Sequence, residues 1–458
     1  MMTVKPLTRD VCRKYLEGLI FGSSSFPNPE IPGKKIGLMG IELEVFPYKI
    51  SNGKIKGVKC EGDKDNLRNI LIKVSEEFGG NAIYEDEEKE NHLLKKIEFP
   101  NGDNFQFEPG CQIEICINPC KNLSELESRI IFLQSLLLKI TSEYGIHFAQ
   151  HGTNPWFGTE EIGLQIPKQR YLNLQNYLDK ISPFGRKMMR LTGSLQVNLD
   201  LGRDEETRIK RIVTANLLSP IATAIFSNSP ITAGKKNGFK SFRSYIWQQL
   251  DPKRTGLLPL EGVIKSWKKE EVVEAYLNFS LNAPLIYVQK KPEISLASEY
   301  TFNYWLDHPI HNHVPDITDF DNHLSLLFPE VRLRKYLEIR SVDAPPKEWQ
   351  MIPVYFYTGL LYNNSHLDKT LDLLIPKQRI IEKLLVESAS GFKNDNLYLL
   401  AKEIMQLAIE AFSGLPPNFK YENQVEIMIS FYKKYTSKRR CFADDSIQLF
   451  NKNNKLTY

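Results

Sequence analysis

The residues with the most chemical potential sit in four strand-like stretches. In GIELEVF, Glu42 and Glu44 are two apart, so a strand would present both carboxylates on one face, ~6.6 Å from each other. Glu108, Gln112 and Glu114 share a parity in EPGCQIE if the strand continues through Pro109-Gly110; a bulge at that point would break it. In LTGSLQVNLDLG, Thr192, Ser194, Gln196, Asn198 and Asp200 alternate with Leu191, Leu195, Val197, Leu199 and Leu201, giving one apolar face and one that is entirely hydrogen-bonding. EVRLRKYLEIRSVD, read as one strand, puts Glu330, Arg332, Arg334, Tyr336, Glu338 and Arg340 together.

Any one of these faces could be the solvated side of an antiparallel sheet. Taken together they are unusual, because lysine is scarce on them and carboxylates are concentrated. Clustered carboxylates repel unless something positive lies between them. Hard cations do this through oxygen ligands, and Mg²⁺ held by a few carboxylates together with substrate phosphates is the common arrangement in nucleotide-dependent enzymes. Arginine is the complement, since its guanidinium fork binds carboxylates and phosphates in a bidentate way. Arg170, Arg243, Arg254, Arg332, Arg334 and Arg340 are the candidates, and Trp247, four residues after Arg243, could cover the apolar stem of a small ligand.

These side chains must be positioned by a framework of strands distributed among helices. The pattern predicts a strand over 35–48, a helix over 64–78, an acidic loop around 85–91 and a helix opened by the Asn122/Glu125 capping box and ended at Gly145. A helix over 205–227 carries Pro220 as a kink, and helices fill the chain beyond Ser365. There is neither regular βαβ alternation nor a glycine-rich phosphate loop after a strand, so the expected class is α+β with an antiparallel sheet.

Composition agrees with a folded enzyme. The 458 residues are 42% hydrophobic and 25% charged, and 59 basic against 55 acidic residues leave +4, with the signs mixed along the chain. That speaks against nucleic acid as a partner. The longest apolar runs fall short of a membrane helix and the first residues lack a signal-peptide core, so a soluble cytoplasmic protein is expected. Six cysteines are too few for a disulfide framework; Cys111, Cys116 and Cys120 read as reduced thiols, and His308, His311 and His313 as a surface loop. No Ser/His/Asp or Cys/His arrangement stands out.

In this order along the chain, GIELEVF (40–46), EPGCQIE (108–114), the 166–200 run ending in LTGSLQVNLD, the 219–259 run with SFRSYIW and DPKRTG, and HLSLLFPEVRLRKYLEIRSVD (323–343) resemble glutamate–cysteine ligases of the plant and proteobacterial type. The resemblance covers about 35–362. It implies a fold like the glutamine synthetase catalytic domain, a curved antiparallel sheet forming a half-open funnel with helices outside, over 1–364, followed by a helical region, 365–458, packed on it. It also implies ATP-dependent joining of the glutamate γ-carboxylate to the amine of cysteine through an acyl phosphate, as the first step towards glutathione.

By position, Glu42, Glu44, Glu108, Glu114, Gln196 and Glu338 would be the Mg²⁺ set. Arg170, Arg243, Trp247, Thr192 and Gln196 would bind substrate. Arg332, Arg254 and Asn198 would face ATP, and Arg340, Glu338 and Arg254 would act at the reacting phosphate. Two departures bear on the acceptor: Cys111 stands where the family has a second glycine, and Ile115-Cys116 replaces a small polar step. If that turn lines the acceptor pocket, the amine stays open between cysteine and another small amine, including a variant feeding ergothioneine synthesis. A non-catalytic ATP or amino-acid sensor is the alternative from another class. Monomer and homodimer are both compatible with the sequence.

Overall fold

A computed structural model describes residues 7–22, 37–62, 66–84, 94–290, 293–453 and 456. The acidic loop expected around 85–91 lies outside them. Ten strands form one antiparallel sheet: β1 (Met39–Ser51), β2 (Lys54–Gly57), β3 (Asn81–Tyr84), β4 (Leu94–Glu98), β5 (Asn104–Phe107), β6 (Ile113–Cys120), β7 (Ile146–Ala149), β8 (Ser194–Leu199), β9 (Val331–Leu333) and β10 (Leu337–Asp343). Their order is β9-β10-β8-β1-β6-β5-β4-β3, with β2 and β7 paired to the second half of β1. The fold class is α+β, as expected.

One face of this sheet is a core layer. Ile41, Leu43, Val45, Ile113, Ile115, Leu195, Val197, Leu337 and Ile339 are all nearly inaccessible, each burial contributing about 1.5–3 kcal/mol. Helices cover that face. The helices of this core include α1 (Arg9–Phe21), α2 (Leu67–Glu77), α3 (Leu123–Ser142), α6 (Glu205–Ile225), α8 (Ile352–Tyr362) and α9 (Asp395–Ser413), whereas α4 (Gln169–Ile181), α5 (Gly185–Leu191) and α7 (Phe242–Gln248) form a second apolar cluster that borders the polar face. Helix α3 starts where the sequence places it. The Asn122 side chain accepts from Glu125 N at 2.9 Å, while the Glu125 carboxylate reaches one residue past the cap to Lys121 N. Helix α6 runs through Pro220, and its residues from Arg211 to Ile225 are all buried. In α8, every residue is buried; Gly359 is required there because a Cβ would lie 2.9 Å from the Ala408 carbonyl of α9.

Two sequence expectations fail in an instructive way. The stretch 330–343 is not one strand but the hairpin β9–β10, turning at Arg334–Tyr336, so Arg332 faces Glu338 across the pair instead of lying six residues along it. A bulge then places Arg340 and Ser341 opposite Gln196, which keeps Arg340 on the same face as Glu338 and turns Asp343 into a buried cluster with Ser229 and Ser241. Nor does the strand run through Pro109-Gly110. There β5 and β6 are joined by a tight turn in which Cys111 N donates to Glu108 O at 2.8 Å and Glu108 N to Gln112 O at 2.9 Å.

Candidate active site

The other face of the sheet is polar, and antiparallel register arranges its side chains as a grid. Glu44 pairs with Glu114, and Glu42 is flanked by Cys116 on one side and Gln196 on the other. Asn198 sits between Gly40 and Glu338, and Glu338 is opposite Arg332. Like charges directly opposite each other weaken a sheet, so the Glu44–Glu114 pair has no value as a structural contact. Over this grid lies a cavity of about 420 Å³ whose walls include Glu42, Glu44, Glu108, Glu114 and Glu338 together with Lys95, Lys168, Arg170, Arg332, Arg334 and Arg340.

The carboxylates divide into two electrostatic classes. Burial, with the negative charge of Glu338 next, raises Glu42 to about 7. Burial and the charge of Glu44 raise Glu108 to about 7 as well. Glu114 is pushed well up by burial and by Glu42, Glu108 and Glu44, and Glu44 is raised by burial. Glu338 is the reverse. Burial alone would lift it, but Arg332, Arg340 and Arg334 hold it down to about 2. Its oxygens accept from Arg332 Nη1 at 2.9 Å, Arg334 Nε at 2.8 Å and Arg340 Nη1 at 2.6 Å.

Around these groups the partners are specific. Ser194 Oγ donates to Glu44 at 2.9 Å, and Asn198 Nδ2 donates to Glu42 at 3.0 Å. Gln196 accepts from Arg340 at 2.8 Å and leans on Glu114 at 3.4 Å. Thr192 lines the cavity with its hydroxyl turned back to Met188 O. Arg170 lines it while holding the Ser325 carbonyl. Trp247 lies 5.6 Å from the Arg340 guanidinium, and its buried Nε1 has no hydrogen-bond partner, leaving an N–H donor at the wall.

Two expected arginines are not in the wall. Arg243 is buried behind it, donating to the Arg340 carbonyl at 2.8 Å and lying 4.0 Å from Asp343, so it braces the arginine strand from below. Arg254 is further removed. It is 1% exposed, donates to the Leu326 and Pro284 carbonyls, and lies 3.4 Å from Asp251 with its guanidinium over the Tyr177 ring. An arginine so enclosed ties loops together and has no access to a phosphate. Asn198 borders an adjoining smaller cavity instead of the main one.

Cys111 also differs from expectation. It adopts φ +70°, a left-handed conformation that favours glycine, and its buried side chain lies against Cys60, away from the cavity wall. The neighbouring Gly110 has no such freedom of choice, because a Cβ there would be 2.1 Å from the Arg190 carbonyl. Gln112 pins the turn by accepting from Gly110 N and donating to Thr192 O, both at 2.9 Å, which sets Glu108 against the β8 side of the cleft. Cys116, by contrast, is part of the grid, 3.4 Å from Glu114 and 3.3 Å from Gln106.

Sequence reasoning passed over Lys95 and Lys168, whereas Tyr336, grouped by parity with the arginines, does line the cavity. Lys168 stands two residues before Arg170 in IPKQRY, and that spacing was the available signal; Lys95 stands beside Lys96 in a stretch where no local pattern singles it out. All six cysteines are free thiols, and the His313 ring pairs with Asp319 in the first turn of the helix Ile317–Leu324. Among the described residues, no helix is long and apolar enough to cross a membrane.

Comparison with known proteins identifies the family and the fold. The family model described as glutamate-cysteine ligase family 2 matches residues 38–393. The chloroplastic glutamate–cysteine ligase of Solanum lycopersicum is 30% identical over 384 residues, covering 81% of this chain and 69% of the relative. That of Arabidopsis thaliana is 31% identical over 382 residues, with the same two coverages, 81% and 69%. Among solved structures, the glutamate–cysteine ligase of Francisella tularensis in complex with AMP superposes with a TM-score of 0.55 at 12% identity, over 91% of this chain and 86% of that one, and so shares its fold. The chain belongs to glutamate–cysteine ligase family 2.

Proposed function

We propose that the protein is an ATP- and Mg²⁺-dependent ligase that joins the γ-carboxylate of glutamate to the amino group of cysteine, giving γ-glutamylcysteine, ADP and phosphate. The carrying observation is the cavity in which four carboxylates, Glu114 buried and Glu42, Glu44 and Glu108 half-buried, face a row of arginines. Membership of the family and the names of the plant relatives support the same substrates.

The donor chemistry fits Mg²⁺. Glu42, Glu44, Glu108 and Glu114 offer only oxygen, and burial with mutual repulsion makes their ionised forms costly until a cation lies among them. Among the described residues no three His, Cys, Asp or Glu side chains are already gathered into a closed cluster. Mg²⁺ commonly takes one or two protein carboxylates and completes its shell with waters and substrate phosphates. When bound there, Mg²⁺ would neutralise phosphate oxygens as charge moves in phosphoryl transfer.

The chain's own residues supply the rest. Arg332, Arg334 and Arg340, arrayed by their shared partner Glu338, meet the phosphates, and this saturation makes Glu338 an organiser of the arginines more than a free ligand. Arg170 and the N–H of Trp247 orient the amino-acid substrates. The γ-carboxylate of glutamate attacks the γ-phosphorus of ATP, ADP leaves, and the neutral amine of cysteine then displaces phosphate from the acyl carbon. Placing two anions in line is most of the task, and a fixed arginine array does that without reorganising.

Cysteine is the acceptor we favour. Cys111, the residue that opened the question, points away from the cleft. We place the catalytic unit at 1–364 with the helices of 365–458 packed on it, supported by the close α8–α9 contact at Gly359. A reducing compartment such as the cytoplasm suits six free thiols. The test is product mass and ADP release from ATP, Mg²⁺, glutamate and a panel of amino acids. γ-Glutamylcysteine as the preferred product supports the reading; preference for another amine moves the acceptor, and no ADP release with any amine overturns the ligase.

A further inference from the structure

Beside the arginine-lined cavity lies a smaller one of about 250 Å³, and the two share Glu42, Gln106 and Tyr336 as a common wall. Its charge is different. Asn104, Asn198, Glu42, Asp200 and Cys116 line it, and there is no lysine or arginine among its lining residues. The larger cavity sets arginines and lysines beside its carboxylates, and this end of the cleft has no such cation.

Two acceptors there are unpaired. Asn104, on β5, is 7% exposed; its Nδ2 donates to the Gly102 carbonyl at 3.2 Å, which leaves Oδ1 as the free atom, and that oxygen is buried with no hydrogen-bond partner. Asn198, on β8, repeats the pattern: Nδ2 donates to Glu42 at 3.0 Å, and the buried Oδ1 has no partner. A buried acceptor without a donor is left with an uncompensated loss of hydration. Two in one small cavity mark a place where a ligand brings N–H groups.

A ligand reaching both cavities must carry anionic oxygens at one end and an N–H donor on a compact body at the other. A nucleoside triphosphate with an exocyclic amino group on its base has this form. An oxo group at the same place would set oxygen against oxygen. We infer that Asn104, together with Asn198, selects the nucleobase by accepting from its exocyclic amine, so that Asn104 is a specificity-determining residue for ATP. The inference rests on the ligase reading above and extends it to a residue outside the metal and arginine sets.

The test compares ATP with inosine triphosphate, which differs by an oxo group in place of the 6-amino group, in the full-length protein with glutamate, cysteine and Mg²⁺. The wild type should favour ATP in kcat/KM by about 10–100-fold, the worth of one or two hydrogen bonds and the unpaired groups left by their loss. Asn104→Ala should cut that preference to a few-fold through a higher KM for ATP, with inosine triphosphate turnover and the KM for glutamate unchanged, a pattern general destabilisation would not give. Use of both nucleotides within threefold by the wild type, or an unchanged preference in Asn104→Ala, would overturn the inference while leaving the ligase intact. No turnover with either nucleotide would remove the ligase reading and the inference with it.

Discussion

The two walls of the cleft hold charge in opposite ways. On β9 and β10 the charges are mutually satisfied: three guanidiniums converge on Glu338, and its carboxyl is held at about 2. On β1, β6 and the turn between β5 and β6, the charges of Glu42, Glu44, Glu108 and Glu114 are only partly offset by lysines and arginines such as Lys168, Arg170 and Arg243, and each carboxyl is raised. The arginine wall is a finished structure; the carboxylate wall is complete only with something positive from outside. Stability and activity should therefore respond differently to changes on the two sides.

The largest contrast should come from neutralising one residue of the open wall. Glu42→Gln is expected to lower ligase turnover by more than about 10³-fold through loss of metal charge compensation, while the folded protein is at least as stable, because a repulsive charge has gone. A large loss of thermal stability in that variant would mean Glu42 serves the fold. On the satisfied wall the expectation reverses: Glu338→Ala leaves the buried Arg332 and the half-buried Arg340 without their carboxylate and should cost about 3 kcal/mol in denaturant unfolding, with the more exposed Arg334 adding little. A variant unfolding like the wild type would show that solvent, and not Glu338, balances those arginines.

The pH dependence follows from the same asymmetry. For Glu42 and Glu108 the folded value, about 7, lies above the ordinary 4.5, so their contribution to stability is complete below about 4.5 and is lost as pH rises through 7. For Glu338, lowered to about 2, the contribution is present above 4.5 and is lost as pH falls towards 2. Mg²⁺ should thus raise the melting temperature clearly at pH 8 and little at pH 5, measured by thermal unfolding with and without the ion. An equal shift at both pH values would detach the cation from these carboxylates. The smallest effect belongs to the turn between the walls. Cys111→Gly, relieving a left-handed backbone, should stabilise by up to about 1 kcal/mol in denaturant unfolding and leave the KM for cysteine unchanged. A changed KM would return Cys111 to the acceptor pocket.

How much of this was legible depended on whether periodicity or turn chemistry carried the information. The polar face of β8 was plain, because strict alternation from Leu195 to Leu199 admits one reading. Glu42 and Glu44 were equally clear. The β9–β10 hairpin was not, since its turn at Arg334-Lys335-Tyr336 contains none of the residues that usually mark a turn, and the parity of Arg332 and Glu338 happened to agree with a single strand. The turn at Pro109-Gly110 was recognisable as a break but was read through, and only the register shows Glu108 arriving from a separate strand end. Arg254 illustrates the converse difficulty. Its Arg-Thr-Gly setting looks like a phosphate turn, yet burial beneath Leu326 and Pro284 is a tertiary property that no local pattern reports.

The account's central claim is that the carboxylate and arginine walls together bring the glutamate γ-carboxylate onto the γ-phosphorus of ATP. Glutamate labelled with oxygen-18 in that carboxylate tests it directly. The released phosphate should carry one labelled oxygen per γ-glutamylcysteine formed, because the bridging oxygen of the acyl phosphate leaves with phosphorus. Product formation with unlabelled phosphate would contradict the claim and require a route in which the carboxylate never meets the phosphoryl group.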